Sequence, residues 1–303
     1  MPAAHAEPSI DDVQQRVDKL YHQAEIASEK YNDAKLRLQQ LRSELADLKA
    51  DQQRQGKQLS GVREQLRDSV LRQFEGSGVS AVSQVVVSND PKEFLAGLTT
   101  VSSFNDLQGD LLDTYNTQVD ALAMRRSATQ KRASQVAETE ASLKSDKDEA
   151  DKKLADAKEL LGDLKAKERE EILSRDTPRV PTTTVPASGR AKAAVAYAMA
   201  QVGKAYVYGA AGPSAYDCSG LTMRAWGAAG VALPHSSSAQ YGTGPHIAES
   251  DLRPGDLVFY YSPISHVGMY IGNGLIVNAE NPSVGVKVTG LHTMPYVGAV
   301  RPG

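Results

Sequence analysis

The sequence predicts two unlike parts: a long antiparallel α-helical coiled-coil hairpin with a small helical head, then an α+β domain with an antiparallel sheet. Three observations carry this. Apolar residues recur in alternating steps of four and three from Val13 to Leu66, the period of a coiled-coil seam. A stretch rich in Pro, Thr and Ser at 176–189 (DTPRVPTTTVPASG) then breaks the pattern, as an extended tether does. Of the 34 Lys and Arg and 37 Asp and Glu, only twelve follow Gly189, so the compact core belongs to 190–303.

The first seam reads Val13, Val17, Leu20, Ala24, Ala27, Tyr31, Ala34, Leu38, Leu41, Leu45, Leu48, Leu59, Val62 and Leu66, with Gln52 and Gln55 in the two positions between. It stops at Gly76-Ser77-Gly78, where two glycines make continuation costly. The head follows over about 76–104, with short helices at 79–88 and 91–103; Asp90 caps the second and Pro91 takes its first position. A second heptad runs through Ala133, Val136, Glu140, Leu143, Lys147, Ala150, Leu154, Ala157, Leu161 and Leu164, anchored upstream by Leu111, Val119 and Leu122. Two such seams joined by a small head make a hairpin over 9–175, although the same pattern also permits pairing between chains. In 190–303 the pattern gives helices at 190–202 and 218–229 and strands at 256–261, 266–271, 275–279 and 284–289.

Residues 1–8 read as a disordered terminus. Within it Ala4-His5-Ala6 before Glu7 has the small-x-small form of a signal-peptidase site, which points to a secreted protein. No run of 18 apolar residues exists, so no transmembrane segment is expected. A net charge of −3 without a basic patch gives no electrostatic reason for a nucleic-acid partner. Nothing in the pattern calls for a cofactor or a metal.

Cys218 is the only cysteine. A lone cysteine is most often a small buried hydrophobe, but here it opens a helical pattern after Asp217. A helix N-terminus stabilises a thiolate. Bringing an ordinary thiol below neutrality takes about 2 kcal/mol, more than one helix end supplies, so an imidazole is expected beside it. His5 lies in the terminus, and His22 in the coiled coil is expected to be solvated. His246 and His292 lack a partner pattern, and His235, in LPHSSSAQ, can line a cleft. His266 opens the strand HVGMYIG, a rigid place for a general base.

The following turn decides what orients His266. A two-residue turn at Asn273-Gly274 would point Asn278 away from it. A three-residue Gly272-Asn273-Gly274 loop with Gly274 left-handed pairs 268 with 278, and Asn278 and His266 then share a face with Gly268 leaving room between them. In that register Glu280 lies directly across from His266 and is the rival orienter.

These residues, DCSGL, HVGMYIG and a polar residue twelve after the histidine, resemble the NlpC/p-60 cysteine peptidases, papain-like peptidoglycan hydrolases, over about 191–301. The resemblance implies Cys218 as nucleophile, His266 as general base and Asn278 as the third polar residue. It gives Tyr206 a role in binding the oxyanion or substrate, and places Asp217 and Ser219 in the pocket for the substrate's free amine and acyl side. His235 departs from the Leu-Pro-Arg common in its segment, which changes the details of substrate contact. The implied substrate is the stem peptide of peptidoglycan, cut at the γ-D-Glu–diaminopimelate bond. Acyl transfer or amide hydrolysis on the same fold, or a non-hydrolytic adaptor binding glycopeptide, are the other readings.

The N-terminal half is similar to that of cell-division hydrolases of the RipC and PcsB type. This implies recruitment and activation by FtsEX through the extracellular loop of FtsX. Phe94, Leu95, Leu98, Val101 and Phe104 would either close the hairpin tip or form the docking face. Helices returning to the base of the hairpin would cover the catalytic cleft until a partner binds, making the full-length chain autoinhibited.

Overall fold

A computed structural model describes residues 10–74, 92, 106–162 and 189–303. The terminus at 1–8, the head with its two short helices, and the tether therefore lie outside the described residues, Lys92 and Gly189 apart. Two compact units are present, Met1–Leu38 with Thr139–Gly303, and Gln39–Glu138. Among the described residues no helix is long and apolar enough to cross a membrane.

Both units contain parts of the helices α1 (Ile10–Phe74) and α2 (Asp106–Gly162). In the second unit these run antiparallel: Gln55 bonds Gln118, Arg125 Nε donates to Asp51 Oδ2 at 2.5 Å, and Arg132 meets Glu44 at 2.8 Å. Leu41, Leu59 and Leu66 are buried on one helix and Tyr115 and Leu122 on the other. A polar pair inside such a seam, as Gln55 with Gln118, costs stability but fixes register. The weaker second heptad is followed only in part, since Ala133 and Glu140 are exposed while Arg132 and Val136 turn inward.

In the first unit Val13, Val17 and Tyr21 pack on Ala157 with Leu154, Leu160 and Leu161 around them. The sheet domain of the same unit begins with α3 (Gly189–Met199), the short parallel pair β1 (Ala205–Tyr206) and β2 (Ala215–Tyr216), α4 (Cys218–Ala228) and the single turn α5 (Ser237–Gln240). Strands β3 (His246–Ile247), β4 (Leu257–Tyr260), β5 (His266–Gly272), β6 (Leu275–Asn281), β7 (Gly285–Gly290) and β8 (Tyr296–Val300) form one antiparallel sheet in the order β3-β8-β4-β5-β6-β7.

Alternation of side chains sorts the sheet's two faces. Leu257, Phe259, Val267, Met269, Ile271 and Val277 point to α3 and α4, where Ala194, Leu221 and Trp226 meet them. Val258, Tyr260, Ile276 and Ala299 point the other way, under Leu291. Trp226 is buried with its indole N–H donating to the Gly255 carbonyl at 3.2 Å. The guanidinium of Arg301 grips both oxygens of Asp256 at 2.7 Å, tying the end of β8 to the start of β4. This packing holds the N-terminus of α4 against the start of β5.

Candidate active site

Asp217 determines where α4 begins. Its backbone is extended, its Oδ1 accepts from the Gly220 N–H at 2.6 Å, and its Oδ2 accepts from the Gly209 N–H at 2.8 Å. Such a cap satisfies donors the helix itself cannot. Cys218 is therefore the first helical residue. Gly220 is required by space, since a Cβ there would stand 2.3 Å from the Ala210 carbonyl oxygen and 2.8 Å from Asp217 Oδ1.

His266 is the first residue of β5. Met269 pairs with Val277 and Tyr270 with Ile276, the register of the three-residue turn, and Gly274 is left-handed at φ 69°. Asn273, at φ 56°, is left-handed as well. Asn278 Oδ1 lies 3.1 Å from His266 Nε2, and Asn278 Nδ2 donates to Thr289 Oγ1 at 3.0 Å. A Cβ on Gly268 would lie 2.9 Å from Ile276 Cδ1 and 3.3 Å from Asn278 Cβ, so a side chain there would crowd the contact. Glu280 pairs with Lys287 at 2.8 Å instead. Asn278, not Glu280, is the residue against the imidazole, and Thr289 steadies it. No motif singles out Thr289.

With Nε2 held by Asn278, His266 Nδ1 points into the cleft, and a carboxylate of α1 meets it there. Glu25 Oε1 lies 2.6 Å from Nδ1. One turn on, Glu29 Oε1 accepts from Ser219 Oγ at 2.9 Å and stands 3.8 Å from Cys218 Sγ. Its Oε2 accepts from the Ser237 N–H at 2.5 Å and Ser237 Oγ at 2.6 Å. Asn32 donates to Asp217 at 3.5 Å, and Asp33 accepts from Ser236 and, at 2.8 Å, from Ser238. Tyr21 receives hydrogen bonds from Ser283 Oγ on its hydroxyl and from Tyr208 on its carbonyl, both at 2.9 Å. His22, expected to be solvated, instead stacks on Tyr261 with ring centroids 4.0 Å apart.

Tyr21, Glu25, Ser28, Glu29 and Asn32 are thus a second buried stripe on α1, beside the apolar seam. Residues 3 and 4 apart share a helix face, so the stripe is continuous. Sequence reading passed over it because acidic and amide side chains flanking a seam usually face water.

Charge in the site differs from what the helix N-terminus alone implies. Burial pushes the Cys218 thiol well above its ordinary value, and the carboxylates of Glu29, Glu25 and Asp217 push it further, against one N–H from Val267. The expected thiolate is therefore suppressed while α1 is in place. Burial opposes the imidazolium of His266, but Glu25 outweighs it and raises the His266 pKa. The same pairing lowers Glu25 despite its burial. Burial, and then Asp217, push Glu29 up to about 7.

These shifts predict how closure depends on pH. Were α1 to leave the site, Glu29 would return from about 7 to its ordinary value, so its contribution to closure is full below about pH 4.5 and is lost as pH rises to about 7. His266, raised from 6.5, contributes below pH 6.5 and loses its contribution as pH passes its raised value. Glu25, lowered from 4.5, contributes above pH 4.5 and loses it as pH falls through its lowered value. Hydrogen exchange of the Ser237 amide, corrected for intrinsic pH dependence, should be slowest near pH 4.5 and speed up steadily as pH rises through 7. Exchange that slows on crossing neutrality would contradict this assignment.

The other expected site residues lie close by. Tyr206, 4% exposed, is edge-on to Tyr208 at 5.0 Å. Its hydroxyl pKa is raised by burial first and then by Glu25 and Cys218. His235 Nε2 contacts both oxygens of Asp217 at 2.8 and 3.0 Å, and this carboxylate raises its pKa against the effect of burial. Cys218, His266, Asn278, Tyr206, Asp217, Ser219 and His235 are all brought to one end of the sheet domain. Phe94, Leu95, Leu98, Val101 and Phe104 lie outside the described residues.

Residues 203–299 match the NlpC/P60 family. A probable endopeptidase of Corynebacterium glutamicum is 40% identical over 126 residues, 42% of this chain and 60% of that protein. A probable endopeptidase of Mycobacterium tuberculosis is 49% identical over 102 residues, 34% of this chain and 26% of that one. This chain thus spans less than two thirds of either relative. Of solved structures, the NlpC/p60 domain of the peptidoglycan hydrolase SagA is 33% identical, covering 36% of this chain and 97% of that one with a TM-score of 0.35.

Proposed function

This chain carries an NlpC/P60-family domain at residues 203–299, and from that premise we propose that it is a secreted cysteine endopeptidase of peptidoglycan, held inactive by α1. The observation that carries the reading is the polarity of His266: Asn278 holds Nε2, and Nδ1 faces the Cys218 side, where Glu25 now sits. Once α1 moves away, Glu25 and Glu29 leave with it and only the capping Asp217 stays beside the thiol. His266 and the N-terminus of α4 can then stabilise the thiolate.

The Cys218 thiolate attacks the carbonyl of the γ-D-Glu–diaminopimelate bond, forming a C–S bond, and the oxyanion is held by the Cys218 N–H with help from Tyr206. His266 Nδ1 gives its proton to the leaving amine as the C–N bond breaks. It then takes a proton from water, which attacks the thioester and frees the D-Glu carboxyl and Cys218. Asp217 and Ser219 receive the substrate's amine and acyl side, with His235 bracing Asp217. A neutral Asn278 orients the imidazole without adding charge, which suits a Cys–His ion pair.

The head at about 76–104, with Phe94, Leu95, Leu98, Val101 and Phe104, is proposed to dock on the extracellular loop of FtsX, so that FtsEX withdraws α1 during daughter-cell separation. The apolar character of that segment and the likeness to RipC- and PcsB-type hydrolases support this.

The test is to incubate full-length Glu25→Ala protein with diaminopimelate-type muropeptides and read the products by mass spectrometry. Cleavage at D-Glu–diaminopimelate, lost in Glu25→Ala/Cys218→Ala, is the expected result. Bound but uncut muropeptide would replace the enzyme with a glycopeptide-binding adaptor.

A further inference from the structure

We propose that Glu25, Cys218 and His266 form a zinc site that clamps α1 onto the cleft. The proposal rests on the reading of α1 as a displaceable cover. One carboxylate oxygen, the thiol sulfur and one imidazole nitrogen lie within 4.8 Å of one another. The three residues are 6%, 0% and 1% exposed. They come from three distant parts of the chain: α1, the start of α4 and the start of β5.

The donor set selects the metal. Thiolate with imidazole and carboxylate suits Zn²⁺, whereas Mg²⁺ and Ca²⁺ take oxygen ligands. Tetrahedral Zn²⁺ with ligands at ~2.0–2.3 Å separates neighbouring donors by roughly 3.3–3.8 Å. Glu29 Oε1 is 3.8 Å from Cys218 Sγ but is outside this group of three, so the three side chains leave the fourth position open. The 2.6 Å Glu25–His266 contact opens to admit the ion, and the sulfur moves toward it.

Three further features fit a built site. Asn278 holds Nε2 of His266 and is itself held by Thr289, so Nδ1 is the nitrogen presented for coordination; metal-bound histidines are steadied in this way. The thiol and the imidazole give up their protons as the ion binds, so its charge takes the place of theirs between Glu25 and Cys218. A polar cavity of about 220 Å³, lined among others by Asp18, His22, Glu25, His266 and Glu280, adjoins the cluster and provides an entry path with acidic walls. Zinc would occupy the nucleophile and its base while tying both to α1, so the closed state would outlast what hydrogen bonds alone maintain.

The test uses the reduced full-length chain and Co²⁺ as probe. One Co²⁺ per chain should bind with a thiolate-to-cobalt charge-transfer band, displaced by Zn²⁺. Cys218→Ala should lack the band, and Glu25→Gln should bind at least ~10-fold more weakly, because losing a ligand costs no less than losing the partner that orients one. Absence of the band in the wild-type chain overturns the site, and so does unchanged affinity in Glu25→Gln, which would leave the ion on the catalytic pair alone. Alkylation of Cys218 in chelator-treated protein separates this from the cover itself. If Glu25→Ala is alkylated faster than wild type and no Co²⁺ binds, only the zinc site fails; if the two rates agree, the cover fails and the clamp with it.

Discussion

Glu25→Ala should raise the rate at which iodoacetamide alkylates Cys218 at pH 7 by about 10- to 100-fold. A buried hydrogen bond between charged partners contributes ~1.5–3 kcal/mol, and each ~1.4 kcal/mol is a factor of ten in the closed-to-open equilibrium. Removing the Glu25 carboxylate deletes the 2.6 Å contact to His266 and one of the charges that raise the thiol's pKa. Both changes act in the same direction. Alanine is the best helix former, so α1 itself is preserved. A rate equal to wild type would mean that α1 does not restrain the site, and the autoinhibited reading would have to be given up.

In the released Glu25→Ala chain, adding His266→Ala should lower muropeptide cleavage by ~100- to 10,000-fold, the usual contribution of a positioned general acid–base. Asn278→Ala on the same background should do less and act differently. The imidazole remains, but its Nε2 loses the partner 3.1 Å away, and the pH–rate profile shifts rather than losing a limb. Equal losses in both variants, with no change of profile, would point to a folding defect at the β5–β6 hairpin. Circular dichroism of the two proteins would then decide.

Much of the fold was legible. The α1 seam, the two helices and four of the strands follow from periodicity, and buried Val13, Val17, Ala24, Leu38, Leu41 and Leu59 occupy the expected positions. The His266–Asn278 contact was legible through one piece of turn chemistry, because a shift of one residue in register moves Asn278 to the other face. Strand β8 was missed because Tyr296–Val300 is short and half-exposed at its start, without a clean alternation. The acidic stripe was missed for a deeper reason. Glu25 and Glu29 are indistinguishable in sequence from the solvated charges of any coiled coil. What buries them is the sheet domain, whose contacting residues lie about 190 to 240 positions away. The pKa of Cys218 was misjudged for the same reason, since the local helix end was visible and the remote carboxylates were not.

Helix α1 is continuous from Ile10 to Phe74, including the turns that carry Glu25 and Glu29. The peptide groups of those turns are engaged in bonds along the helix itself, so the segment offers side chains to the cleft and no extended peptide carbonyl to Cys218. An inhibitor presented in that way is not consumed by the enzyme it restrains. If α1 is the cover proposed above, activation leaves no clipped propeptide behind and the same chain can close again. On that proposal, cleavage would be governed as a reversible, repeatable act.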